Sequence, residues 1–487
     1  MKKLTVEQIV NASEGTLLTG APETCVQQFT IDSREDAVNG LFIPVIGEKT
    51  DGHKYVAGAL EHGAVALFMQ KDSEYREEIL SLAENQGASV IAVGDTVKAF
   101  QKTAAWYRSC FSTPVVGITG SVGKTTTKEM ISAALETEKK VLKTIGNKNS
   151  QIGLPQMMFY FDESYDIAVI EMGMSEVGEM KNLAYVAKPE CAVMTNIGVA
   201  HIAQLGSREN IRKEKLSIAN EFCKDSVLFL NGNDILLNET ATEITQKQIT
   251  IDCNKETKEA LLHTTAVLYG IGEGFDYAAS EIKAGASGVS FLLTIKKTGE
   301  QIPVSLKVYG NHNVMNALAA VAVAEHYGIS PQRAVEGLSG YEPIAMRGQI
   351  KEKDGITWID DTYNASPDSM KSGVQVLLSL NAQRRIAVLA DVLELGEQSE
   401  ELHREVGAYI ASLTEGGKST DILVTIGSNG AFIAEEAGKC GMKEVYSFDS
   451  NREATEYLKS CLKAGDAVLV KGSRGMRTEE ILHAFDI

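Results

Sequence analysis

Short, solid apolar blocks recur along this chain and alternate with segments whose apolar residues fall at helical spacing. Solid blocks bounded by turn residues predict strands buried on both faces, as in parallel sheets covered by helices. In the first part of the chain the blocks are residues 41–45, 64–68 and 90–93. Leu4, Ile9 and Val10 predict an opening helix, and 55–60 reads as a helix between strands. A second series comprises 114–116, 167–170, 191–194 and 227–230. Between about 247 and 310 the pattern turns strand-rich and irregular, with 289–295 resembling a strand of an antiparallel insertion. Residues 314–324 are apolar almost all round, which predicts a buried helix. A third series starts near Tyr341 with blocks at 357–360, 386–390, 422–426 and 467–470.

Repeated strand–helix alternation predicts an α/β protein with parallel sheets in three domains. The expected divisions are a small α/β domain over 1–108, a central P-loop domain with a parallel sheet over 109–338, and a Rossmann-like α/β domain over 339–487. The length of 487 residues agrees with that number of domains.

Charge then narrows the partners. Sixty-five acidic against 47 basic residues leave a formal charge of −18, which argues against a general nucleic-acid binder. A few cations and helix ends can still build a local site for an anionic small molecule. The cysteines (Cys25, Cys110, Cys191, Cys223, Cys253, Cys440 and Cys461) are odd in number and widely spaced. No disulfide framework or zinc site is expected, and a reducing cytoplasm fits. Glu7, Asn11 and Glu14 interrupt any signal-peptide core after Met1-Lys2-Lys3, and no apolar run reaches membrane-spanning length. The expectation is a cytoplasmic protein without membrane insertion.

The chemistry centres on Gly117-Ile118-Thr119-Gly120-Ser121-Val122-Gly123-Lys124-Thr125-Thr126-Thr127. It follows an apolar strand and precedes a helical pattern through Met130, Ile131, Ala134 and Leu135. This is the setting of a phosphate-binding loop: glycines let backbone N–H groups approach phosphates, and the helix N-terminus adds partial positive charge. Lys124 can reach the terminal phosphates and Thr125 can offer a hydroxyl to Mg²⁺. Ile118 stands where a standard loop has its first glycine.

Other candidates carry two readings each. Glu171 closes the 167–170 block and is either a metal-coordinating carboxylate or an exposed strand-end acid. His201 is either a ligand for metal or phosphate or a polar loop residue. Lys215, in Arg212-Lys213-Glu214-Lys215, reads by default as a solvated helix face. Asp360-Asp361 could fix ribose or a metal, or cap the helix after Pro367. Asp32-Ser33-Arg34 and Asp51-Gly52-His53 suit a diphosphate, and turn chemistry explains the same letters.

Taken together, the set resembles the ATP-dependent Mur ligases of peptidoglycan synthesis. The resemblance rests on the phosphate loop, Glu171-Met172-Gly173-Met174 with Gly178-Glu179, and Thr195 to His201 with Leu205-Gly206-Ser207. It continues through Gly310 to Ala320, Asp360 to Pro367, Glu394-Leu395-Gly396 and Lys471-Gly472-Ser473-Arg474. It covers essentially the whole chain and is strongest with the branch that adds D-alanyl-D-alanine to UDP-N-acetylmuramoyl-tripeptide.

That resemblance implies roles. Ser33, Arg34, Asp51, Gly52 and His53 would hold the uridine diphosphate end of the substrate, joined by Asn149 and Ser150. Ser150 replaces the second of two asparagines usual there. ATP would lie on Thr119, Gly120, Ser121, Val122, Gly123, Lys124, Thr125 and Thr126. Asn313 and Asn316 would face adenine, Arg347 the phosphates and Asp361 the ribose. Thr125, Glu171, His201 and Lys215 would serve two Mg²⁺ ions, with Lys215 carrying a carbamate. Lys124, Lys215, His201 and Arg347 would be the catalytic set, and Tyr363 and Asn364 would contact the dipeptide. The family implies a monomer and an acyl-phosphate intermediate. A paralogous amide ligase with another acceptor or nucleotide substrate, and a non-catalytic ATP-binding regulator, are the competing readings.

Overall fold

The computed structural model describes residues 1–285 and 288–487. Three main sheets organise the chain. The first has five strands in the order Thr16–Thr19, Ser89–Val93, Ala64–Gln70, Gly40–Phe42, Gln28–Thr30, parallel except for the first pair. The third runs Gln349–Lys353, Ile356–Asp361, Asp466–Lys471, Arg384–Ala390, Ile422–Ile426, Val445–Phe448, with only the first pair antiparallel.

The second sheet has nine strands, and its parallel part holds the phosphate loop. Val115–Thr119 lies between Cys191–Met194 and Ile167–Glu171. Register pairs Ile118 with Glu171 and Thr119 with Met194, so the loop leaves the sheet edge beside the ends of both neighbours. Ligands of open α/β sheets bind at this carboxyl edge. The solid apolar blocks form these strands because both sheet faces are covered: every residue of Val115–Thr119 and Ile167–Glu171 is buried. The all-round apolar helix is Asn311–His326, which packs on Lys124–Leu135, the helix after the loop.

One expectation needs correction. The stretch from 247 is not strand-rich from its start: Lys255–His263 is a helix, capped by the Asn254 side chain accepting from Thr257 N. Its inward face is thin, Thr257 and Leu261, so the charged outer face masked the helical period. Strands begin at Thr265, and Tyr277–Gly285, Gly288–Ile295 and Glu300–Leu306 form the antiparallel extension.

Helix Thr96–Ser109 joins the first sheet to the second. Along this seam aromatic rings touch in sequence. Phe29 stacks on Phe159 at 4.1 Å, Phe159 meets Phe100 at 5.8 Å and Tyr107 at 5.1 Å, and Tyr107 meets Phe111 at 5.2 Å. Arg108 is buried beneath them, and its guanidinium donates to Ala187 O, Phe111 O and Thr113 O at 3.2, 2.8 and 2.7 Å. Arg108→Met leaves three buried carbonyls without a donor. At about 1–3 kcal/mol per orphaned group, partly relieved by water, we expect a loss of roughly 3 kcal/mol. Urea unfolding checks this, with a midpoint unchanged from the native protein as the contrary result.

The third sheet's unit meets the second through apolar and polar contacts together. Helix Pro367–Ser379 begins against Gly198, where a Cβ would lie 2.5 Å from Asp368 Oδ2. Glu394 Oε2 comes within 3.3 Å of His201 Nδ1. Both residues have positive φ, 67° and 63°, so each is held by its surroundings in a backbone region that non-glycine residues rarely occupy.

Candidate active site

Between the second and third sheets lies a cleft of about 580 Å³. Its floor is the phosphate loop from Ser121 to Thr126. Gly123 precedes the helix with φ 89°, and the N–H groups from Gly123 to Thr126 have no protein acceptor among the described residues. Four open amides at a helix N-terminus make a cradle for an anion. Lys124 Nζ donates to Gly120 O at 2.9 Å, which curls the side chain over the loop. Burial and nearby Arg347 hold its pKa below the usual lysine value, with Glu171 acting in the opposite sense. Thr119 and Gly120 lie beneath this floor and do not line the cleft.

Glu171 is not an exposed strand end. It is 3% exposed, and its two oxygens accept from Thr125 Oγ1 at 3.0 Å and Asn149 Nδ2 at 2.8 Å. Asn149 therefore engages Glu171. Ser150 is exposed, lies outside the cleft and accepts from Gly153 N.

Lys215 is not on a solvated helix face either. It is 1% exposed on helix Arg208–Leu216, and among the described residues nothing accepts a hydrogen bond from its ammonium. Burial first, and then the charge of Lys124, hold its pKa well below the ordinary lysine range. His201 is pushed down to about 4 by burial and by Lys215 and Lys124, so its ring is neutral near pH 7. Its Nδ1 is buried and makes no aligned hydrogen bond, despite the 3.3 Å approach of Glu394.

Asn313 and Asn316 line one wall on consecutive helical turns. Asn316 Oδ1 accepts from Thr127 Oγ1 at 2.9 Å, and its amide donates to Asn313 Oδ1 at 3.1 Å. The opposite wall comes from the third sheet. The Arg347 guanidinium lies over the Tyr363 ring, 4.0 Å from its centroid. Asp361 pairs with buried Lys471 at 2.6 Å, and Lys471 also donates to Asn364 O at 2.9 Å. Neither acid caps the following helix, whose cap is Ser366.

The first-domain candidates lie apart from this cleft. Arg34 pairs with Asp32 on the surface, and Ser33 is half-buried beside it. His53 is buried with both ring nitrogens engaged, Nδ1 by Asp51 at 2.6 Å and Nε2 by Gln70 N at 3.0 Å. A Cβ on Gly52 would lie 2.6 Å from Val45 N, so this glycine serves close packing of the chain. Sequence reasoning gave no role to Lys471, Asp368, Thr195 or Asn196, which also line the cleft. All four stand at strand or helix ends, and Thr195, Asn196 and Lys471 also fall in segments that carry the family resemblance.

A phosphate loop on a parallel sheet, faced across a polar cleft by a second α/β unit, defines a P-loop nucleotide-binding protein. Comparison with known proteins is specific. The Mur ligase middle domain matches residues 118–324, and the Mur ligase, glutamate ligase domain matches 346–474. The UDP-N-acetylmuramoyl-tripeptide–D-alanyl-D-alanine ligase of Bacillus subtilis (strain 168) is 39% identical over 99% of this chain and 98% of its own length. That of Treponema pallidum (strain Nichols) is 33% identical over 93% of this chain and 92% of its own. A crystal structure of MurF from Acinetobacter baumannii superposes with TM-score 0.84 at 28% identity, covering 99% of this chain and 98% of that one. MurF from Thermotoga maritima in complex with ADP gives 0.78 at 26% identity, covering 94% and 97%. The chain belongs to the Mur ligase family.

Proposed function

We propose that this chain is an ATP-dependent ligase that joins D-alanyl-D-alanine to UDP-N-acetylmuramoyl-tripeptide in peptidoglycan synthesis. The observation that carries the reading is full-length similarity to enzymes of that name, across both the ATP-binding and the facing domain. Lys124, Glu171, His201 and Arg347 line one cleft, and Lys215, buried outside that lining, acts electrostatically on His201 and feels the charge of Lys124, which supports it.

The terminal carboxylate of the tripeptide attacks the γ-phosphorus of ATP. The bond to the bridging oxygen breaks, ADP leaves and an acyl phosphate forms. The dipeptide amine then adds to the acyl carbon, and the tetrahedral intermediate expels phosphate as the amide forms and the amine proton is lost. Lys124 and Arg347 offset the charge gathering on the transferred group. The open amides of Gly123 to Thr126 hold the neighbouring phosphates. Asn313 and Asn316 face adenine, Asp361 faces ribose, and Tyr363 and Asn364 meet the dipeptide. Ser33, Arg34 and Asp51, exposed or partly so, contact the uridine diphosphate end, with His53 and Gly52 shaping the turn that presents Asp51.

Among the described residues no three His, Cys, Asp or Glu side chains form a ready metal site. The donors present nevertheless suit Mg²⁺, which takes few protein ligands plus substrate phosphates. They are the Thr125 hydroxyl, the Glu171 carboxylate and His201 with an unpartnered Nδ1. Bound Mg²⁺ supplies charge neutralisation at the phosphates. A carbamate on Lys215 would add an anionic oxygen donor, and the burial that lowers the lysine's pKa favours the amine form that such a group needs. The chain acts as a cytoplasmic monomer, and no helix among the described residues is long and apolar enough to cross a membrane.

Phosphate release from MgATP tests the reading, with the nucleotide-tripeptide and the dipeptide supplied singly and together. Release only with both, abolished by EDTA, together with a product heavier by one dipeptide, is expected. Turnover indifferent to the dipeptide overturns it.

A further inference from the structure

The phosphate loop lacks the first glycine of the standard motif. Ile118 stands there as a fully buried strand residue, paired in the sheet with Glu171. The loop is instead held from the side, by the segment that follows the neighbouring strand. Thr195 N donates to Thr119 O at 3.0 Å, and Ser121 N donates to Asn196 O at 3.1 Å. Asn196 Oδ1 accepts from Ser121 N at 3.1 Å and Val122 N at 2.9 Å, while Asn196 Nδ2 donates to Val122 O at 3.2 Å. Thr195 Oγ1 donates to the same carbonyl at 2.5 Å. Gly198 N donates to Ser121 Oγ at 2.9 Å. Gly120 has φ 148°, and any Cβ there would fall inside the van der Waals shell of Thr195 Oγ1.

The consequence is a division of labour along the loop. The amides of Ser121 and Val122 are turned toward Asn196, whereas those from Gly123 to Thr126 stay open to the cleft. Without the Asn196 side chain, Val122 loses both its donor and its acceptor partner on that residue, and the turn into Gly123 is left with the Thr195 hydroxyl on Val122 O and the backbone bonds at Thr119 and Ser121. A cradle of amides binds phosphate well only when its donors are preorganised.

From this geometry we infer that Asn196, assisted by Thr195, is the positioning residue that shapes the loop for the nucleotide's phosphates, in place of the missing first glycine. It touches no reacting atom and acts through the backbone of Ser121 and Val122. The inference rests on the nucleotide-binding reading above and adds a determinant of nucleotide affinity outside the Gly-Lys-Thr core.

Titration of the intact Asn196→Ala protein with ADP tests it, beside steady-state kinetics. ADP affinity is expected to fall about tenfold or more, with KM for ATP rising in step. KM for the nucleotide-tripeptide and the dipeptide should stay within about twofold, as should kcat at saturating ATP. Thr195→Val, nearly isosteric, removes only the hydroxyl's bond to Val122 O and should give a smaller loss of the same selectivity, which covers the case of an Asn196 variant that does not fold. Unchanged ADP affinity in the variants overturns the inference. So does a parallel loss in all three KM values with a lower melting temperature, because that marks general destabilisation. ADP binding by the native protein is the control: if it is absent, the nucleotide-binding reading fails first.

Discussion

Replacing Lys215 by alanine is expected to lower ligation by roughly a thousandfold, the scale of losing a charged group that acts on the transferring phosphoryl. Melting temperature should stay level or rise. Those two outcomes belong together. An ammonium that is 1% exposed and has no acceptor among the described residues is a burden on the fold, so removing it relieves desolvation. A lysine kept for stability would behave in the opposite way. Burial and Lys124 favour the neutral amine at Lys215, and the neutral amine is the form that adds carbon dioxide. A carbamate there would be an anion within electrostatic reach of Lys124, and the two charges would stabilise each other. Acetate or formate, small enough to occupy the space left by the side chain, should restore part of the activity. Full activity in the variant without any added anion would refute the carbamate.

The second large effect is at Lys124. Lys124→Ala should reduce phosphate release by roughly two to four orders of magnitude, because in the proposed reaction it removes a loop cation that offsets charge on the transferred group. Nucleotide should still bind, more weakly, since the open amides of Gly123 to Thr126 remain. Lys124→Arg should recover little. The ammonium is curled onto Gly120 O in a buried position shared electrostatically with Arg347, and a planar, larger guanidinium does not fit that curl. Measuring release under saturating ATP separates the two effects. A kcat within tenfold of native in the alanine variant would remove Lys124 from the chemistry.

Much of the architecture was legible because parallel strands covered on both faces must be solid apolar blocks. The block at 191–194 is a strand with the same limits, and 167–170 gains only Glu171. What escaped were elements whose apolar content is sparse or whose surroundings decide the outcome. Thr16–Thr19 is a half-polar edge strand, and Lys255–His263 buries only two side chains. At the site, the phosphate loop could be read from local chemistry, since glycine, lysine and threonine spacing is itself the mechanism. Glu171 and Lys215 could not, because one letter string serves an exposed acid or a metal ligand, a solvated cation or a buried one. Only packing distinguishes them, and packing is contributed by residues distant in sequence, such as Asn149 for Glu171 and Lys124 for Lys215. Asn196 was invisible as a single letter for the same reason: its meaning lies in two amides more than seventy residues earlier.

The seam of aromatic rings along helix Thr96–Ser109 bears on which units of the chain can part. The first and second sheets cannot part without wetting Phe29, Phe100, Tyr107 and Phe159 together. The third sheet's unit meets the second through polar and apolar contacts together: a carboxylate on a bare glycine, a glutamate near a histidine, and a shared apolar cluster that holds Ile202, Leu205 and Leu395. In the proposed reaction an acyl phosphate formed at the Lys124 edge would lie between the second unit and the third, which supplies the facing wall with Arg347 and Tyr363. Water and the acceptor amine would then reach it through the same cleft, so the acceptor has to fill that space before water does.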